Sequence, residues 1–264
     1  MIRILKVELT KVVNYPTFWV IFGIHLLLLI PAVFAFESFV QSVAGGTGPD
    51  GVAIQTATPG VSIFNFPGAW HNLAYLASWF QFILVILFVI LVTNEYTYKT
   101  LRQNIIDGLS AVEIIAAKEV LILFLTAVST LMLFALTAAL GKPAEGVGMF
   151  DGVVAVPAYF MSLFLFLHLA YFLSSWLKKT GLVIGMLIIY WIVEGIAGFW
   201  LPDSVSQLLP MNVRVNMLPN PLSEMMGLEA VANVSLLNGG LCLAYAALFL
   251  GGNYWLLKHG HAAK

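Results

Sequence analysis

Hydrophobic positions in this chain come in long uninterrupted blocks, and polar positions are confined to the short intervals between them. Six blocks, at 18–36, 73–93, 120–140, 153–176, 181–201 and 236–257, reach the ~20 residues needed to cross about 30 Å of hydrocarbon at 1.5 Å per residue. Five contain no Asp, Glu, Lys or Arg, and the fifth block along the chain contains only Glu194. Lipid offers no partner to backbone N–H and C=O groups, and the blocks lack the alternation of a barrel strand, so each is expected to be an α-helix. The pattern predicts an all-α integral membrane protein, one transmembrane domain over 1–264 with six spans.

The intervals differ in kind. At the N-terminus, Ile2, Leu5, Leu9 and Val12 recur at spacings of three and four with Arg3, Lys6 and Lys11 off the stripe, which suits an interfacial helix lying on the membrane before Pro16. The block at 18–36 is longer than a signal-peptide core and lacks a small-x-small cleavage site, so it is expected to be a retained first span. The interval 37–72 is rich in turn formers. The interval 202–235 instead mixes apolar residues with Pro210, Pro219 and Pro221 around a short expected helix at 222–233, a segment suited to lying against or dipping into the membrane.

Composition strengthens this picture. Hydrophobic residues make up 61% and charged residues 9% of the chain, against roughly 45 to 50% and about 25% in soluble domains, and mean hydropathy is +0.95. A net charge of −1 argues against a nucleic-acid surface. The single cysteine, Cys242, excludes an internal disulfide and a thiolate metal cluster. The distribution of basic residues sets an orientation: with the N-terminus inside, ten of the twelve Lys and Arg residues are cytoplasmic, and only Lys142 and Arg214 are external. Both termini are therefore expected in the cytoplasm.

The interval 94–119 carries more charge than any other internal segment, whereas the other internal connection is only Lys178-Lys179 and its neighbours. Leu101 and Ile105 share a helical face, Gly108 is placed just past that helix, and Ser110 with Glu113 forms a capping box that starts the next one. The expected product is helix, glycine turn, helix, presenting Leu101, Ile105, Ile106 and Leu109 beside Arg102 and Asp107 to a groove on a soluble partner.

With Glu95, Thr100-Leu101-Arg102, Gly108-Leu109-Ser110, Glu113 and Lys118, this interval resembles the coupling-helix region of permeases in the ABC type-2 transporter family. It departs from that pattern at Ala111, where many relatives carry Arg. The order of interfacial helix, six spans, long first external loop and irregular segment before the last span is also similar. The resemblance implies a permease of the bacterial cytoplasmic membrane, usually an exporter. It would pair with a second permease copy or paralogue and with two cytoplasmic ABC ATPase subunits. It also implies that Glu95, Leu101, Arg102, Ile105, Ile106, Asp107, Leu109 and Glu113 meet the ATPase, which would carry ATP and Mg, with no cofactor in this chain. In keeping with that, Lys99-Thr100 and Lys179-Thr180 lack the preceding glycines of a phosphate-binding loop.

Glu194 invites two readings, a translocation or ion site and a hydrogen-bonded structural group, because a charge at that depth costs about 2.5 to 3.5 kcal/mol unless protein or water receives it. On the first reading the chain is an ion-gradient-driven carrier. A third class, a non-transporting membrane scaffold, needs only the cytoplasmic surface. His25 and His168 each stand alone on apolar blocks without a metal-ligand neighbour at helical spacing, which favours packing or an interhelical hydrogen bond. His259 and His261 lie in the basic tail, Gly181 and Gly185 form a GxxxG that permits close helix approach, and Asn233-Val234-Ser235 matches a glycosylation sequon.

Overall fold

The computed structural model describes residue 10 and residues 14–44, 62–143, 146–218, 220 and 236–259. The expected interfacial helix, the short helix at 222–233, His261 and the sequon lie outside these residues, apart from Thr10 and their flanks. Nine helices are described: α1 Pro16–Ala44, α2 Gly68–Thr97, α3 Thr100–Ile106, α4 Ala111–Leu140, α5 Ala155–Leu177, α6 Thr180–Trp200, α7 Asp203–Ser206, α8 Pro210–Asn216 and α9 Leu236–Lys258. Six of them, α1, α2, α4, α5, α6 and α9, are long and apolar enough to cross a membrane. The chain is thus a multi-pass membrane protein of helical architecture, and the only β-pairing among the described residues is one bridge between Asn65 and Lys142.

α5 is the centre of the bundle, packed against α2, α4, α6, α8 and α9. Its Tyr159, Leu163, Leu167, His168 and Ala170 are sealed from the surface. α1 and α6 lie at the periphery, with Val20, Leu27, Ile189, Val193 and Phe199 exposed as lipid-facing apolar residues. The apolar core is therefore built chiefly where α2 and α5 meet.

Hydrogen bonds identify the two ends of the bundle. At one, Lys142 N–H donates to Phe64 O at 2.8 Å and Trp70 Nε1 donates to Met149 O at 2.7 Å, tying the start of α2 to the connection between α4 and α5. At the other, Asn94 Nδ2 donates to the Tyr15 hydroxyl at 3.0 Å, and the Thr93 and Thr180 hydroxyls meet at 2.7 Å. This second end also carries α3 and the end of α9.

Several boundaries shift from the hydropathy blocks. α1 runs to Ala44, eight residues past its apolar block, because Glu37 is not a loop residue: its carboxylate accepts from Ser62 Oγ at 2.6 Å and Ile63 N–H at 2.8 Å, satisfying a charge inside the helix. Trp70, near the start of α2, is fully buried and stacked near Phe134, and its indole N–H has a carbonyl partner within the protein. An added Cβ at Gly181 or Gly185 would meet nothing within 4 Å among the described residues, so no close approach between those residues requires either glycine. A tight contact does occur at Gly252 of α9, where an added Cβ would lie 2.8 Å from the Phe172 ring.

Candidate functional site

Two places gather polar chemistry. The first is the projecting turn around α3. Lys99 adopts a left-handed conformation at φ 57° and separates α2 from α3. At the far end, Gly108 N–H donates to Ile105 O at 3.1 Å and Leu109 N–H to Asn104 O at 3.0 Å, a Schellman closure that Gly108 permits at φ 91°. Ser110 then starts α4 through a reciprocal capping box: Glu113 N–H donates to Ser110 Oγ at 3.3 Å and Ser110 N–H donates to Glu113 Oε2 at 2.9 Å. The expected helix, glycine turn and helix are all present.

Beneath this turn lies a buried ion pair. Lys118 Nζ on α4 donates to Glu95 Oε1 on α2 at 2.7 Å, with side-chain exposures of 5% and 11%. It joins the two helices that α3 connects. A further link stands behind it, where His168 Nε2 on α5 meets Glu119 Oε2 on α4 at 3.1 Å. His25 on α1 likewise contacts Phe80 O through Nδ1 at 3.2 Å, so both span histidines make interhelical hydrogen bonds.

The eight residues expected to meet a partner divide into two groups. Arg102, Ile105, Ile106 and Asp107 are exposed, Ile106 at 68%, while Leu109 and Glu113 are half-buried. Leu101 is buried at 4% and Glu95 is engaged with Lys118, so these two support the turn from inside. The helical face shared by Leu101 and Ile105 thus straddles the boundary between bundle and solvent.

The second place is a cavity of about 520 Å³ between α2, α5, α6 and α8, whose walls include Ser78, Trp79, Ser162, Phe166, Trp191 and Arg214. α8 is positioned by Glu194: its Oε1 accepts the Asn212 N–H at 2.7 Å, beside Tyr190, and the side chain is 4% exposed. The intramembrane carboxylate therefore fastens the irregular segment to α6. Met211, Val213, Met217 and Leu218 complete that attachment by burial.

Arg214 was expected as an external loop cation, and instead it is packed into the bundle. Its Nη2 donates to Ser78 O and to Gln81 Oε1, both at 3.1 Å, and its guanidinium lies 4.3 Å from the centre of the Phe166 ring. Gln81 is held by Ser162 Oγ, which donates to Oε1 at 3.3 Å, and donates through Nε2 to Tyr159 O at 3.4 Å. The Arg214 guanidinium stays charged at neutral pH, as arginine does in proteins. At the opposite end, burial lowers the pKa of Lys178, in the connection between α5 and α6. Among the described residues no group of three or more His, Cys, Asp or Glu side chains is placed to hold a metal ion.

Arg214 and Gln81 escape a sequence reading because each is unremarkable locally. The available signal was the flank of Arg214, a lone cation among Met211, Val213, Val215, Met217 and Leu218. Taken together, fold and site define a class, a six-span helical membrane protein with a projecting amphipathic turn at one end and a cationic cavity within. Comparison with family models, with curated proteins and with solved structures found no match.

Proposed function

We propose that the chain is the membrane-spanning permease subunit of an ATP-driven ABC transporter, an exporter coupled through α3 to a separate cytoplasmic nucleotide-binding subunit. One observation carries this reading: α3 is a short amphipathic helix held in fixed register at a bundle end, with Arg102, Ile105, Ile106 and Asp107 turned outward. Seven residues of helix cannot stabilise themselves in water, because nucleation costs more than so short a run returns. Here the Schellman closure, the capping box and the Glu95–Lys118 pair fix it from below. A pre-organised helix loses little entropy on docking, which suits a mechanical contact with a soluble subunit.

On this reading the α3 end is cytoplasmic, in line with the basic-residue distribution. ATP and Mg belong to the ATPase partner, and two permeases, copies or paralogues, assemble with two such subunits. Glu194 acts as the anchor of α8. The test is co-purification with a P-loop ATPase and ATP-dependent transport in vesicles. Ile106→Asp should abolish both association and coupled ATP hydrolysis while leaving the bundle folded. Unchanged association and hydrolysis in a folded Ile106→Asp protein would refute the reading. Transport driven by an ion gradient alone and lost in Glu194→Gln would establish a carrier instead.

A further inference from the structure

We propose that the cavity between α2, α5, α6 and α8 binds an acidic lipid of the surrounding bilayer, with its anionic group on Arg214 and its acyl chain along the aromatic wall. Three observations lead there. The first is an uncompensated charge: no carboxylate among the described residues pairs with Arg214, and its protein partners are the neutral oxygens of Ser78 and Gln81.

The second is geometric. Nε and Nη2 are occupied by Gln81 and Ser78, but Nη1 makes no hydrogen bond with the described residues, and Arg214 lines the cavity. Two N–H donors, both on Nη1, are thus left for an oxygen anion; they diverge from one nitrogen and so offer single charge-assisted hydrogen bonds rather than the parallel two-nitrogen fork. Ser78 lies five residues, about 7.5 Å, inside the apolar block at 73–93, so this cation sits just within the span. A charge placed there without an anion is costly, and such residues mark binding sites.

The third is access. Trp79 is 66% exposed and Trp191 56%, and Ile188 and Val215 are exposed beside them, so the walls continue onto the side of the bundle that faces lipid. The volume falls within the 300 to 1,000 Å³ typical of small-ligand sites, and the lining is mostly apolar and aromatic with few polar groups. An amphiphile entering sideways meets apolar surface first and the cation at the end of its path. A zwitterionic lipid brings its own cation with its phosphate and gains less.

The inference rests on the cavity alone and does not depend on ATP coupling. It is tested by photolabelling the purified full chain in phosphatidylcholine vesicles that carry phosphatidylglycerol with a photoactivatable acyl chain. The control is the same chain on phosphatidylcholine. Labelling of segments 75–82 and 211–218 should favour the acidic lipid by about tenfold, the ratio given by about 1.4 kcal/mol. Arg214→Gln should reduce that preference to near unity, and Arg214→Lys should retain part of it. Val215→Trp, which fills the mouth and keeps the cation, should lower labelling by both lipids and decides the matter if Arg214→Gln does not fold. Equal labelling by the two lipids, a preference unchanged in folded Arg214→Gln, or labelling unchanged in Val215→Trp would overturn the proposal. So would displacement of the label by a water-soluble naphthalenesulfonate but not by unlabelled phosphatidylglycerol, which would assign the site to a soluble anion. No ATP or partner subunit enters the measurement, so its failure leaves the proposed function standing.

Discussion

Breaking the Glu95–Lys118 pair offers the sharpest test of how α3 is held. At the 2.7 Å separation the gross attraction is about 6 kcal/mol with an effective dielectric constant of 20. Removing each ion from water costs several kcal/mol, so the intact pair is close to neutral in net stability. Removing one partner leaves the other charge buried without its ion pair, at a cost of up to about 3 to 5 kcal/mol. Lys118→Met and Glu95→Gln should therefore each destabilise the bundle by that amount, whereas the double variant should return to within about 1 to 2 kcal/mol of the parent. Reversible unfolding in mixed micelles, monitored by tryptophan fluorescence, measures all four proteins. A double variant whose loss equals the sum of the two single losses would refute the argument, because it would show that the two groups do not compensate each other.

Leu101→Asp buries a carboxylate under the turn and should cost more than 3 kcal/mol, whereas Ile106→Asp on the exposed face should stay within about 0.5 kcal/mol; paired thermal unfolding curves distinguish them. Glu194→Leu removes the acceptor of the Asn212 N–H and should cost about 1 to 3 kcal/mol, while Glu194→Gln keeps a carbonyl oxygen and should lose less. Equal losses in the same unfolding assay would refute the anchoring role. Gly252→Ala places a Cβ against the Phe172 ring and should destabilise by about 1 to 3 kcal/mol, against a negligible change at Gly185, where nothing stands within 4 Å; denaturant titration of both variants checks the contrast.

What the chain discloses in advance follows how far apart the interacting residues are. Ser110 and Glu113 cap a helix through a spacing of three, and Gly108 ends one through its own backbone freedom, so both were legible. The spans were legible for the same reason, since each satisfies its backbone internally. Lys118 and Glu95 are separated by 23 positions, His168 and Glu119 by 49, and Arg214 and Gln81 by 133, and no local pattern announces such partners. Arg214 counted as an external cation because charge tallies assume loops stay outside the bundle. α8 breaks that assumption, with Glu194 capturing its backbone. Leu101 and Ile105 were assigned to one surface because they share a helical face, but that face is cut by the edge of the bundle.

These long-range partners also explain why both sites sit where they do. Polar cross-links among the described residues concentrate on α2 and α5: Thr93 to Thr180, Glu95 to Lys118, Gln81 to Arg214, Tyr159 to Ser129 and His168 to Glu119. In hydrocarbon an interhelical hydrogen bond adds about 0.6 to 2 kcal/mol and restricts rotation of the helix that carries it. α1 and α6 expose much of their apolar surface to lipid instead. A ligand group or docking helix needs placement to within a fraction of an ångström, which a loosely held helix cannot give. The turn at α3 grows from one end of α2, and the Ser78–Gln81 cradle for Arg214 lies nearer the other. α2 therefore belongs to both sites. It contains no proline, in contrast to Pro31 in α1, and so lacks the commonest cause of a helix kink between the two.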